Sequence, residues 1–300
     1  MPTVIAATDA GLFRLGDGDG TELDGRKVAD LALGSDGWWA IADSSDVLRR
    51  RDEGGWETAT SVEGRRLTCL HPTPSALLIG TDRAHLLAAR GHSTEPVAAF
   101  EDAPGRADWY TPWGGPPAVR SIAGRDSIHV NVHVGGILRS EDGGASWTPT
   151  IDIHSDVHEV TLAGDPDTVL AATALGLAIS RDGGDSWDFD AQGLHSSYAR
   201  AVAIAGDQIV MSASVGPFGG DSGIFRRALH QPGFEKVHHG LPEWFPENID
   251  TGCLAARDGV VSFGTADGRV FLSEDHGDSW EQIGHDLPPV NKVVLVGSGL

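Results

Sequence analysis

Short apolar runs separated by glycine-bearing polar turns recur along the whole chain. The runs at 119–123, 157–163, 201–205 and 251–256 each precede a second apolar run and then a turn containing glycine. Runs of this length, bounded by turn residues, predict strands rather than helices. Grouped by this rhythm, the chain divides into strand-rich units at 28–60, 67–100, 119–150, 157–194, 199–242 and 249–286. Segment 3–15 predicts the middle strands of a further unit with no inner strand before them, and 290–296 predicts a lone strand. Joined, the two ends complete a seventh unit and remove exposed sheet edges that would otherwise invite aggregation.

One short phrase recurs within these units. It reads Ser140-Glu141-Asp142-Gly143-Gly144-Ala145-Ser146-Trp147, then Ser180-Arg181-Asp182-Gly183-Gly184-Asp185-Ser186-Trp187, then Ser273-Glu274-Asp275-His276-Gly277-Asp278-Ser279-Trp280. Trp147 and Trp187 are 40 residues apart, and Trp187 and Trp280 are 93 apart, which leaves room for one degenerate unit. Arg51-Asp52-Glu53-Gly54-Gly55-Trp56 is a worn copy. The pattern Ser-x-Asp-x-Gly-x-Ser-Trp resembles the Asp-box, or BNR repeat, of sialidase-like β-propellers. The resemblance implies an all-β seven-bladed β-propeller in one domain spanning 1–300, with the N- and C-terminal strands closing the ring in one blade. Six blades would follow if 67–100, which lacks an Asp-box, were not a blade. Each Asp is expected to accept hydrogen bonds from its own turn, and each Trp to wedge between blades. A residue repeated from blade to blade holds blades together, whereas a catalytic group is usually needed once.

Composition narrows the partners. The net charge is −21, which repels phosphate backbones and argues against nucleic acid. No apolar run approaches the roughly 20 residues of a membrane span. The N-terminus enters a strand at once, without a basic leader, so a cytoplasmic location is expected. Cys69 and Cys253 fall in inner strands four blades apart, too distant to bridge, which suits a reducing compartment.

In a propeller the starts of the innermost strands and the turns between second and third strands open onto one face, where the central channel emerges. Sorted this way, together with the connecting loops into the same face, at least seven of the 13 histidines map there: His85, His133, His154, His158, His195, His238 and His239. His71, His92, His129, His230 and His276 map elsewhere. Long loops at 101–117, 216–223 and 240–246 carry prolines and aromatics, and they either shape a pocket or cap the core.

With the N-terminal blade counted first, a small-molecule site is expected at the channel mouth over blades four to seven. His133, His158, Asp156 and Tyr198 are the candidate catalytic residues. His133, His158, His195 and His239 are the candidate ligands for a divalent metal such as zinc, copper or iron. Strand alternation should point Asp156 and His158 to the same side, so that Asp156 can orient His158. Glycines flanking His133 allow close approach of backbone or ligand. Arg120 and Arg200 are placed as anchors for an anionic group of the substrate, and Trp109, Trp113 and Trp244 as pocket lining. Equally, either arginine could pair with Asp156 or Asp250 and tie blades together.

Two other readings stay open. The Asp-box resemblance implies a sialidase-like glycoside hydrolase, in which Arg120, Arg200 and Arg65 or Arg66 would grip a carboxylate, Tyr198 would be the nucleophile and Asp156 the acid. The Arg-Ile-Pro signature of that family is absent, and seven blades depart from its six. A non-catalytic scaffold for a protein or carbohydrate partner would also suit the tryptophan-rich loops. Nothing in the sequence specifies an oligomeric state.

Overall fold

The computed structural model describes residues 2–16, 18–51, 54–91, 93–165 and 167–297. It is an all-β seven-bladed propeller of seven four-stranded sheets. Blade 1 unites both ends of the chain. Val290–Val296 is its inner strand, followed outward by Thr3–Thr8, Gly11–Leu15 and Gly20–Glu22. The inner pair is antiparallel, with Ala6 opposite Val293. The remaining blades run in chain order, with inner strands at Val28–Gly34, Leu67–Pro72, Val119–Gly124, Val157–Leu162, Tyr198–Ala205 and Leu254–Arg257. Residues 67–96 form a complete blade despite lacking an Asp-box, so the six-bladed alternative falls. The last inner strand starts at Leu254, later than expected, because 250–253 forms a turn closed by Cys253 N–H donating to Asp250 O.

The Asp-box turns behave as the sequence predicts. In the first, Asp142 Oδ1 accepts from Ser146 N–H at 2.9 Å and from the Ser140 hydroxyl at 2.9 Å, while Oδ2 accepts from the Ser146 hydroxyl. Asp182 and Asp275 repeat the set. The indoles of Trp147 and Trp280 donate back to Gly144 O and Gly277 O, and both rings are buried. Trp187 is only half-buried. The worn copy at 51–56 cannot be followed fully, since Asp52 and Glu53 lie outside the described residues, as does His92.

Two compact units contain the blades. One comprises Arg26–Val169 and Ser180–Trp187, the other Met1–Gly25, Leu170–Ile179 and Asp188–Leu300. In the first, buried polar groups stitch inner strands of successive blades. Asp30 Oδ2 accepts from Leu70 N–H at 2.6 Å, Thr68 donates to Val119 O, and Ser121 Oγ accepts from Val160 N–H at 2.9 Å. In the second, Ser212 donates to Ile249 O and Thr251 to Arg200 O. Each such bond satisfies a backbone group that burial would otherwise leave costly. The second unit also holds an aromatic core of Phe245, Phe263, Phe271 and Trp280, with ring centroids 4.9 to 5.6 Å apart. Cys69 and Cys253 are both buried and form no disulfide.

Candidate metal centre

The turn between the second and third strands of blade 4 carries His133. In four of the other blades a threonine at the end of the second strand closes this turn, whereas blades 2 and 6 have Ala42 and Ser214 there. Thr8, Thr81, Thr173 and Thr265 each accept from backbone N–H groups of their own turn. Blade 4 has Val132 at that place. Its turn is closed by Gly135 N–H donating to Val132 O, with Val134 at φ 52°. A β-branched residue at positive φ is strained by about 1–3 kcal/mol. His133 N–H donates to Ala118 O, and Tyr110 N–H donates to Val134 O, so the turn is held from both sides.

Blade 5 supplies the other two residues. A short 3-10 turn, Ile153–Ser155, starts from Asp152, whose carboxylate accepts from His154 N–H. Asp156 closes the turn in the left-handed region at φ 49°, and the inner strand begins at Val157. Asp156 is therefore not part of the strand, contrary to the alternation argument. Its carboxylate nevertheless reaches both imidazoles. Oδ1 lies 3.0 Å from His133 Nε2, and Oδ2 lies 3.7 Å from His158 Nε2. The two rings are 5.5 Å apart.

The three ligand atoms all lie within 4.8 Å of one another, and no other such group occurs among the described residues. His133 and His158 are buried. Burial opposes ionisation of Asp156, yet the two imidazoles outweigh it and hold the carboxyl well below the usual carboxylate range. The short contact with His133 is not aligned as a hydrogen bond. Metal bonds of about 2.0–2.2 Å at tetrahedral to right angles place neighbouring ligand atoms about 2.9–3.5 Å apart. The 3.0 Å contact lies within that range and the 3.7 Å contact just outside it, so closing the set on one ion needs a small inward shift of the side chains. Two imidazoles and a carboxylate are a donor set suited to zinc, iron or copper, so the group could hold a metal.

The other expected residues go elsewhere. His195 and His239 do not join the group. His195 stacks on Phe225 at 5.5 Å and lies 4.5 Å from Trp244, which in turn sits beneath Lys236 Nζ at 3.8 Å. Burial pushes the His195 imidazole pKa down. His239 pairs in parallel with Ser279, and its carbonyl accepts from Trp280 N–H. It therefore lies beside the third Asp-box turn rather than at an inner-strand start. Tyr198 is half-buried, with the Arg200 guanidinium 5.7 Å from its ring. Arg200 pairs with Asp250 at 2.9 Å, which is the blade-tying alternative. Arg120 is half-buried and sits where the inner-strand register shifts, as Arg200 does and as Ala29 and Thr68 do in other blades. A bulge that recurs at one place is a feature of the repeat.

Of the tryptophans, Trp113 comes to the group, with its ring 5.1 Å from that of His133. Trp109 packs inside its own loop against Phe100 and beneath Arg106. It also fills the space above Gly135, where a Cβ would lie 3.1 Å from the indole. Val132 lies nearer still, at 2.5 Å, so the room that glycine leaves is taken by Val132 and Trp109 and not by a ligand. Loop 240–246 folds over the core, with Phe245 buried and bonded to Ser222 in both directions, so this loop is a cap. Sequence reasoning missed Tyr110, whose hydroxyl lies 3.4 Å from His154 Nδ1. It also missed Glu101, which receives both His85 and Arg106 through one oxygen.

No protein-family model matches the chain, and no curated protein matches it. Solved structures do. An ancestral GH74 enzyme superposes with a TM-score of 0.66 at 16% identity over 94% of this chain and 40% of its own. The GH74 xyloglucanase from Xanthomonas campestris gives 0.61 at 15% identity over 94% and 47%. YCF48 from Cyanidioschyzon merolae gives 0.59 at 15% identity over 86% and 84%. The chain thus spans less than half of either GH74 enzyme. It is a seven-bladed propeller. At these identities the likeness is one of fold.

Proposed function

We propose that this propeller binds a divalent transition metal through His133, Asp156 and His158 and uses it on a small-molecule substrate at the channel mouth. One observation carries the reading: two buried imidazoles and a half-buried carboxylate, the one such group among the described residues, with His133 on a strained turn. Strain of this kind persists only where surrounding structure holds it, and it clusters at functional sites. When bound, the metal would polarise a substrate oxygen or lower the pKa of water. Asp156 brings the negative charge that offsets the cation. The burial of His133 and His158 restricts water around it. The GH74 neighbours support catalysis on such a scaffold, although hydrolysis by this chain does not follow from them. With Arg200 engaged by Asp250, anionic recognition by that arginine loses support.

Elemental mass spectrometry of the purified protein tests this reading. Near-stoichiometric zinc, iron or copper, lost in the His133→Ala/His158→Ala variant, is the expected result. A protein that takes up none of these metals after incubation refutes it. An Asp156→Asn variant that folds normally but retains less metal would separate ligation from folding.

A further inference from the structure

We propose that the ligand of this centre is a planar aromatic ring bearing an oxygen donor, of the phenol or catechol class. Its ring would lie against Trp113 and its oxygen would face the metal. The inference rests on the metal reading above. Trp113 is 63% exposed, unusual for so large an apolar ring, yet it stands 5.1 Å from His133 at a 38° tilt. Aromatic pairs gain energy at such separations, and an indole left facing solvent beside a ligand residue offers its other face to a second ring.

The loop beneath it is held rigidly. Phe100 is fully buried at its base. Arg106 donates to Ala84 O at 2.8 Å and to Glu101 Oε2 at 2.9 Å, and His85 Nδ1 meets the same oxygen. Nearer the tip, the Thr111 hydroxyl donates to Gly115 O, and Gly114 N–H donates to Thr111 O. Trp113 is thus presented on a fixed support, which limits the ordering cost of stacking.

These bonds also select the chemistry. A sugar stacked on the indole would bring several hydroxyls needing partners. Of the polar side chains of this loop, Thr111 is engaged within the loop, Tyr110 at His154 and Arg106 at Glu101, while Asp102 and Asp108 are exposed carboxylates. What is offered is a flat apolar face and, through the three-ligand set, an open metal position. A phenolic or catecholic oxygen meets that position, and its ring needs no further hydrogen bonds.

The test titrates zinc-loaded protein with 4-nitrocatechol, following the absorbance change of the probe, and with cellobiose by calorimetry. Metal content is measured on every sample. The expected result is saturable 4-nitrocatechol binding that weakens about 10-fold in Trp113→Ala, with zinc retained, and is largely kept in Trp113→Phe. Zinc-loaded protein that ignores 4-nitrocatechol, binds it equally in Trp113→Ala, or binds cellobiose instead overturns this inference and leaves the metal reading standing. A protein that takes up no zinc, iron or copper overturns both.

Discussion

His129 should make the propeller acid-sensitive in a way that one substitution removes. The residue lies in the second strand of blade 4 and is completely buried. Its Nε2–H donates to Gly183 O in the next Asp-box turn at 3.0 Å, which fixes the neutral tautomer. Nδ1 is buried with no hydrogen-bond partner, so a second proton would have nothing to donate to. Burial is the main cause of the lowered pKa, and nearby Arg139 adds to it. The unfolded chain takes up a proton near pH 6.5, whereas the folded chain resists until lower pH. Stability is therefore fully present above about 6.5 and falls by up to about 1.4 kcal/mol per pH unit until the folded pKa is reached. In His129→Gln the amide can still donate to Gly183 O but cannot titrate. Urea midpoints measured between pH 8 and pH 5 should show wild type losing about 1 kcal/mol more than the variant over that range. Comparing the two cancels the other histidines. Equal pH slopes would refute the account of a buried, neutral His129.

Four further outcomes follow from the same geometry. Phe263→Ala removes a fully buried ring from among Phe245, Phe271 and Trp280 and should cost about 3–5 kcal/mol in urea unfolding. Gly268→Ala puts a Cβ 1.8 Å from Leu287 O at φ +82°, whereas Gly143→Ala at φ +71° meets nothing. The first should abolish soluble expression, while the second should cost about 1 kcal/mol, and similar expression of both would count against the turn geometry. Asp142, Asp182 and Asp275 are held down to about 2. The Ser146 and Ser186 hydroxyls lead that effect for the first two, while for Asp275 the Ser279 bonds outweigh burial. Their contribution is present above the usual carboxylate pKa near 4 and lost as pH falls through about 2. An Asp→Asn change in all three should therefore flatten the thermal midpoint between pH 4.5 and pH 2. Thr173→Val should lower stability by about 1 kcal/mol, because Leu175 N–H loses its acceptor.

Most of the architecture was legible because a repeat states it several times. The Asp-box phrase, the tryptophan spacing and the split seventh blade each pointed to the same ring. His133, His158 and Asp156 were legible as residues, since each chemical type stood at a turn or strand start. Their neighbours were harder to place. His239 was expected in a connecting loop on the site face, but it pairs beside Ser279, and loop conformation decides where such a connection turns. Trp109 and Trp113 share one loop, and only packing decides which is inside it. The Arg200–Asp250 pair spans 50 residues and could be named only as one of two options. The recurring threonine at Thr8, Thr81, Thr173 and Thr265 was present as a signal and was not used.

That threonine shows why the centre lies where it does. A repeat encodes what every blade needs, so its exceptions are free to serve something else. Thr81, Thr173 and Thr265 close their turns with one hydroxyl, and although the Thr81 turn holds Ala84 at φ 52°, none of the three holds a β-branched residue at positive φ. Blade 4 gives up the hydroxyl, accepts a β-branched residue at positive φ, and gains His133 in the turn. Blade 5 places an aspartate in the left-handed region just before its inner strand. Its next residue after the buried Val157 is His158, where other blades have Thr68, Arg120 or Arg200. Blade 4 thus places a β-branched residue at positive φ and blade 5 an aspartate there, and the two turns converge on one group within 4.8 Å. Selection for stability alone would favour relaxing this turn, since His133→Ala with Val134→Gly should remove the β-branched residue from positive φ. Stability that rises in this double variant while metal is lost would be the mark of a centre maintained for function. Stability that falls would mean the three side chains serve the fold itself.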